Sequence, residues 1–489
     1  MTNLAITDSP LDSSIDTVVV GLSADGSLSP TLKQIDEATG GWITGLVKAE
    51  QLRGKLGEVS LIASPKPVAA DASLPTMILV IGTGDEELGR GAAFDLASTA
   101  VRKLSDRNRG KVLITLAECA KSDARDRVVS GAIFGMEGQA IYQSDPAAKM
   151  PEQILFSGID AATFERGSDI GKSINVTRHL INEPADKIYP ETFADAAIEL
   201  AKEVGIEVEV WDEKKLLAEG CRAILAVGAG SSKPPRLVMM RYNGGGSEAP
   251  IAIVGKGVTF DSGGLSLKPS AGMEAMKCDM GGAATVFGVM RAIAQLKLKQ
   301  NVIGFCGLAE NMVSSTCYRL GDVIETRSGK TVEILNTDAE GRVVLADTLD
   351  VAIQHEPRAM IDLATLTGAC MVALGNEVAG LMTNNDDLCH QLIAAAKKED
   401  EPVWQLPMFE LYDEKIKSKV ADIKNVGEAR WGGAITAAKF LEQFVGDVPW
   451  VHIDIAGPAF VDSAKPHRDA GATGVMVQTL VRLIEEFPA

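Results

Sequence analysis

Residues 251–269 read IAIVGKGVTFDSGGLSLKP. The opening run, Ile251 to Val254, is short, continuous and apolar, the signature of a strand buried inside a sheet. Directly behind it come Gly255, Lys256, Gly257, Asp261, Gly263, Gly264 and Lys268. Taken singly, these glycines mean tight turns and these lysines mean solvated surface. An apolar strand that empties into a glycine-rich, charged stretch is also what an open α/β sheet presents at its carboxyl edge, where such sheets form their sites.

Working outward, the same alternation continues on both sides. Strands are predicted at 206–211, 236–242, 301–308, 331–335, 360–363 and 451–455, with helices at 282–296, 343–354, 434–444 and 474–487. This is a large C-terminal α/β domain with a mixed sheet flanked by helices. Upstream, strands at 17–22, 77–81 and 112–115 and a helix at 92–104 describe a small N-terminal α/β domain with a mostly parallel sheet. A helix over 169–182, ended by Glu183-Pro184, joins the two, and a second helix restarts at Tyr189-Pro190. The expected division is therefore 1–168, a connector over 169–189, and 190–489. Two further glycine stretches, 82–84 and 228–233, lack the spacing of a dinucleotide or Walker loop and read as turns.

Composition agrees with a two-domain globular chain of 489 residues, 46% hydrophobic and 23% charged. The formal net charge of −18 argues against a surface devoted to nucleic acid or anionic lipid. Within residues 1–170 the one basic cluster, Arg102, Lys103, Arg107, Arg109 and Lys111, reads as a solvated helix end and turn, with a phosphate-binding patch as the minority reading. Seven scattered cysteines without a CxxC indicate neither a disulfide framework nor a thiolate zinc site. The N-terminus has no signal-peptide pattern and no apolar run is long enough to span a membrane, so a soluble, cytoplasmic protein without membrane partners is expected.

Two more segments share the character of 251–269: MKCDMGGAA at 276–284 and ILNTDAEGR at 334–342. With Asp261 they supply Asp279, Asp338 and Glu340, and in extended geometry Asp338, Glu340 and Arg342 would point the same way. Four carboxylates gathered without compensation would repel and take up protons. Bound divalent metals are the economical remedy. Oxygen ligation suits Mg, Mn, Co or Zn, and a lysine can join as a neutral amine. None of the five histidines lies in these segments. On residues alone, the chain is a dinuclear metal hydrolase, with peptides and phosphate esters both open as substrates.

At these positions the sequence resembles the leucyl aminopeptidase (cytosol aminopeptidase) family. NTDAEGR at 336–342 is similar to that family's signature, and VGKGVTFDSGGLSLKP and MKCDMGGAA to its other blocks. Similarity extends to Asn182-Glu183-Pro184, GSSKPPRLVMMRYNG at 230–244, DLATLTGA at 362–369, WGGAITAAKFL at 431–441 and HIDIAGPAF at 452–460. It covers most of 180–487.

The resemblance implies that the larger domain is catalytic and removes N-terminal residues, preferably leucine and other bulky apolar ones, from peptides. It implies two divalent metals, Mn or Zn with Co or Mg as alternatives. Lys256, Asp261, Asp279 and Glu340 would hold the tighter one. Asp261, Asp338 and Glu340 would hold the exchangeable one, helped by the Asp338 carbonyl. A bridging hydroxide would attack, Lys268 would polarise the scissile carbonyl, and Arg342 would hold a bicarbonate acting as general base. Met276, Thr365, Leu366 and Gly368 would line the side-chain pocket. A homohexamer is implied too. A cysteinylglycine-type dipeptidase activity and an added DNA-binding or regulatory role are the alternatives; the acidic charge of both parts argues against DNA.

Overall fold

The structure, a computed structural model, describes residues 2–8, 11, 14–66, 74–427 and 431–488. It divides into two compact units, one of residues 1–175 with 463–470, the other of residues 176–462 with 471–489.

The first unit is built on six strands: β1 (Asn3–Ile6), β2 (Thr17–Ser23), β3 (Val59–Ala63), β4 (Met77–Gly84), β5 (Lys111–Ile114) and β6 (Gln153–Phe156). They lie in the order β1-β6-β5-β2-β4-β3, all parallel except β3. The three strands expected from sequence are β2, β4 and β5, adjacent in the middle and buried there. Of the three unexpected strands, β1 and β3 are edges, half-exposed and weakly patterned, and β6 is an interior strand only four residues long. Members of the basic cluster have local partners: Arg102 pairs with Asp469, Arg107 and Arg109 with Asp106, and Lys111 donates to Ser14.

The connecting helix runs over Ala161–Asn182, starting eight residues before the expected 169. Gly167 hid its first turns, since glycine lowers helix propensity, while Gly171 falls within the expected span. Here they permit close packing on the helix Arg125–Gly135: a Cβ at 167 would stand 2.4 Å from the Asp126 carbonyl oxygen, and one at 171 would stand 2.9 Å from the Ser130 Cα.

The second unit contributes β7 (Glu207–Trp211), β8 (Arg236–Asn243), β9 (Ile251–Asp261), β10 (Asn301–Asn311), β11 (Val323–Glu325), β12 (Thr331–Glu333), β13 (Ala359–Ala364), β14 (Ala379–Thr383), β15 (Val403–Gln405), β16 (Ile423–Lys424) and β17 (Trp450–Asp454). Eight of these form a mixed sheet in the order β15-β14-β17-β13-β9-β10-β8-β7. Its centre, β17-β13-β9-β10, is parallel and buried. The strand predicted at 331–335 is instead the short β12, which sits in a separate sheet between β11 and β16.

β9 does not turn at Gly255 as its glycines suggested; it stays paired with β10 as far as Asp261. Gly255 and Gly257 serve close packing instead. A Cβ at 255 would lie 2.6 Å from Ala283, in the helix Gly281–Gln295. One residue along, the opposite face of the sheet meets the helix Glu340–Ile353: a Cβ at Gly307, the register partner of Lys256, would lie 2.2 Å from Thr348 Oγ1. Helices therefore cover both faces. The turns proper fall at Gly263 and Gly264, with φ of +85° and +61°.

All seven cysteines are unpaired, five of them buried. Among the described residues, no helix is long and apolar enough to cross a membrane.

Candidate metal centre

Four segments of the second unit converge at the carboxyl end of β9. Lys256 leaves the strand toward the helix Glu340–Ile353, where the absence of a side chain at Gly341 makes room for it; a Cβ there would stand 2.4 Å from Lys256 Cε. Its Nζ donates to Asp279 Oδ1 at 2.7 Å and to the Thr365 carbonyl at 3.0 Å, and lies 2.9 Å from Glu340 Oε1. Asp279 is supplied by the 3-10 turn Met276–Met280, Glu340 is the first residue of its helix, and Thr365 is the residue just after β13. The Thr365 hydroxyl donates to the same Asp279 oxygen at 2.8 Å. All but the edge of Thr365 is sealed from solvent.

A second knot lies just outside this one. Lys268 Nζ is 2.8 Å from Asp261 Oδ2 and 2.5 Å from Asp338 Oδ1. Asp261 Oδ1 also accepts the Gly263 N–H at 2.9 Å and the Asn311 side-chain amide at 2.8 Å. Asn311 donates as well to the Thr337 carbonyl at 2.9 Å, and the Thr337 hydroxyl donates to the Gly263 carbonyl at 2.7 Å. The 261–268 and 336–340 segments are thus laced together by uncharged groups. Asn311 is the register partner of Asp261 across β9 and β10. Sequence reading missed it; its one signal is a polar residue closing the apolar run of β10.

The electrostatics are severe. Burial, with the neighbouring charges of Glu340 and Asp261, raises Asp279 well above the carboxylate range against the pull of Lys256. Burial and then Glu340 raise Asp261, and burial raises Asp338. Burial works against the charge on Lys256, yet Asp279, Glu340 and Asp261 outweigh it and hold its pKa high.

Asp279 Oδ2 and Glu340 Oε2 are buried without any hydrogen-bond partner. One oxygen each from Asp261, Asp338 and Glu340 lie within 4.8 Å of one another. Unpaired buried carboxylate oxygens around a compact oxygen cluster fit divalent cations.

The 338–342 stretch is not extended as expected, because the helix begins at Glu340 rather than 343. Asp338 and Glu340 still meet, whereas Arg342 turns aside. Its Nη1 donates to the Asn425 carbonyl at 2.9 Å, and its Nε is buried without a partner. Burial lowers its pKa to about 10, against Glu340 and Asp454. Of the expected pocket residues, Met276 is half-buried in the turn before Asp279. Leu366 is half-buried against the core, and Gly368 is exposed at the start of the helix Gly368–Leu374. Thr365 spends its hydroxyl on Asp279.

Comparison with known proteins covers nearly the whole chain. Residues 175–481 match the catalytic domain of the cytosol aminopeptidase family, and residues 19–146 match its N-terminal domain. A probable cytosol aminopeptidase of Rhodopirellula baltica is 60% identical over 469 residues, 95% of this chain and 91% of the relative. Among solved structures, a mutant of the tomato leucine aminopeptidase superposes with a TM-score of 0.86 at 30% identity, covering 99% of this chain and 96% of that one. The bottromycin maturation enzyme BotP in complex with Mn gives 0.85 at 32% identity, covering 96% and 99%.

Proposed function

The chain belongs to the cytosol aminopeptidase family of metal-dependent aminopeptidases, and we propose from that premise that it cleaves N-terminal leucine and other bulky apolar residues from peptides with two divalent ions. The observation that carries this reading is the pair of partnerless buried oxygens, Asp279 Oδ2 and Glu340 Oε2, inside a four-carboxylate cluster.

Lys256, Asp261, Asp279 and Glu340 would hold one ion, and Asp261, Asp338 and Glu340 the other. Bound there, the ions would supply Lewis acidity to the scissile carbonyl and make water acidic enough to attack at neutral pH. Manganese is favoured by the manganese complex of the structural neighbour. Lys268 lies at the open side of the cluster, where its ammonium can hold negative charge developing on the carbonyl oxygen. The unpartnered Nε of Arg342 supports a seat for a bicarbonate anion as the proton acceptor. Met276, Thr365, Leu366 and Gly368 would border the side-chain pocket.

The division into 1–168, 169–189 and 190–489, a cytosolic location and a homohexamer complete the proposal; sedimentation of the full chain tests the last. The central test is hydrolysis of leucine amide before and after chelation, with Mn, Zn, Co and Mg added back and the N-acetylated substrate alongside. Metal-dependent cleavage of the free amine alone is expected. No cleavage by folded protein with metal bound would overturn the reading.

A further inference from the structure

Asn425 lies on no motif singled out in the sequence, yet it is fully buried and spends every hydrogen-bonding atom of its side chain on one loop. Its Oδ1 accepts the N–H groups of Leu335 at 2.9 Å and Asn336 at 3.4 Å. Its Nδ2 donates to the carbonyls of Asn336 at 2.6 Å and Ala339 at 3.4 Å. An asparagine amide offers two acceptor and two donor positions, and all four are used. The loop so held, 335–339, contains Asp338 and ends one residue before Glu340. The main-chain carbonyl of Asn425 also anchors Arg342 Nη1 at 2.9 Å. Asn425 is itself fixed: its N–H donates to the Glu333 carbonyl at 3.0 Å, continuing the pairing of β16 with β12.

We propose that Asn425 is a positioning residue for the metal centre, setting the loop that aims Asp338 and Glu340 while holding Arg342 through its own backbone. The proposal rests on the metal-site reading above. Asn311 and the Thr337 hydroxyl tie Thr337 to the 261–268 side, whereas Asn425 holds the main chain of 335, 336 and 339 from the β16 side, and partners one step behind metal ligands typically control affinity by about 10–100-fold.

Asp422 provides a control on the same segment. Its Oδ2 accepts the Thr331 N–H and hydroxyl, both at 2.8 Å, tying the segment to β12 without touching 335–342. The test compares full-length Asn425→Ala, Asn425→Asp and Asp422→Ala, each stripped with chelator and titrated calorimetrically with Mn2+, then assayed for kcat and KM on leucine amide. Asn425→Asp keeps the acceptor and loses both donors. Both Asn425 variants are expected to bind Mn2+ about 10–100-fold more weakly, with kcat falling more than KM rises, while Asp422→Ala binds as wild type. Wild-type Mn2+ affinity in a folded Asn425 variant would overturn the proposal. So would an equal loss in Asp422→Ala, or failure of both Asn425 variants to fold. If wild type binds Mn2+ but cleaves no leucine amide, the aminopeptidase reading fails, and the Mn2+ titrations still decide the role of Asn425.

Discussion

Lys256 and Lys268 lie on the same segment and each bridges two carboxylates, but the surroundings set them apart. Lys256 is 3% exposed and gives its three N–H bonds to Asp279, Glu340 and the Thr365 carbonyl. Lys268 is 18% exposed, has the two carboxylates Asp261 and Asp338, and keeps a third N–H for another acceptor; Asp338 itself is 33% exposed. The same pair of opposite charges thus serves two ends. Deep in the site and without metal, the lysine's charge offsets that of the buried carboxylates it touches. At the mouth, its charge remains available to a substrate.

The largest effect should come from the inner lysine. In the chelator-stripped protein, Lys256→Met leaves Asp279 and Glu340 buried with no cation. Removing one partner from a buried pair costs about 3–5 kcal/mol, so the urea midpoint should fall sharply. Added Mn2+ should recover part of that loss. If Lys268→Met destabilises as much, the contrast between the two lysines is wrong.

For the outer lysine the effect should move from stability to rate. Lys268→Met is expected to lower kcat about 10²–10³-fold, as loss of one oxyanion donor does. KM should change little. Unfolding free energy should stay within about 1 kcal/mol of wild type, since Lys268 and Asp338 are partly solvated and the buried Asp261 keeps its Gly263 and Asn311 donors. A raised KM with unchanged kcat would assign Lys268 to ground-state binding and remove it from the reaction.

Much of this contrast was legible in the sequence. The parallel centre of each sheet declares itself by continuous apolar runs, and the carboxylates and lysines by their clustering after them. What stayed hidden has physical reasons. Gly255 and Gly257 look like turn residues because composition cannot distinguish a bend from a strand crossed closely by a helix. β1 and β3 lack the burial that marks a strand, and β14, though buried, carries Thr383 as its one β-branched residue. Asn311, Thr337 and Asn425 are neutral residues whose worth lies in the main-chain groups they meet, and those meetings depend on tertiary register. The inward turn of Arg342 follows from a helix that begins three residues early at Glu340.

Gly341 sharpens the inner half of the comparison without altering a charge. Gly341→Ala would drive a methyl against Lys256 Cε, at 2.4 Å in the present geometry. Overpacking of this kind costs about 1–3 kcal/mol. The expected outcome is weaker Mn2+ binding and reduced kcat, with Lys268 chemistry otherwise intact. Wild-type Mn2+ affinity in this variant would show that the inner lysine has slack.

The smallest expected effect concerns a buried carboxylate with no lysine beside it. Asp347, two turns beyond Glu340 on the same helix, accepts the N–H groups of Ala223, Ile224 and Arg327 at 2.7, 3.0 and 2.8 Å. Burial pushes its pKa up to about 7, against those three donors and with help from Asp350. Between the unfolded value near 4 and the folded value near 7, the native state holds a proton that the unfolded chain lacks. Stability from this group is therefore present at acid pH and lost as pH rises through 7. Asp347→Asn removes the titration, so wild type should lose about 1 kcal/mol relative to this variant between pH 6 and pH 7 in chelator-stripped protein. Parallel stability curves for the two would mean that the three N–H donors do for Asp347 what Lys256 does for Asp279 and Glu340, and that a buried carboxylate in this unit needs no cation to stay charged.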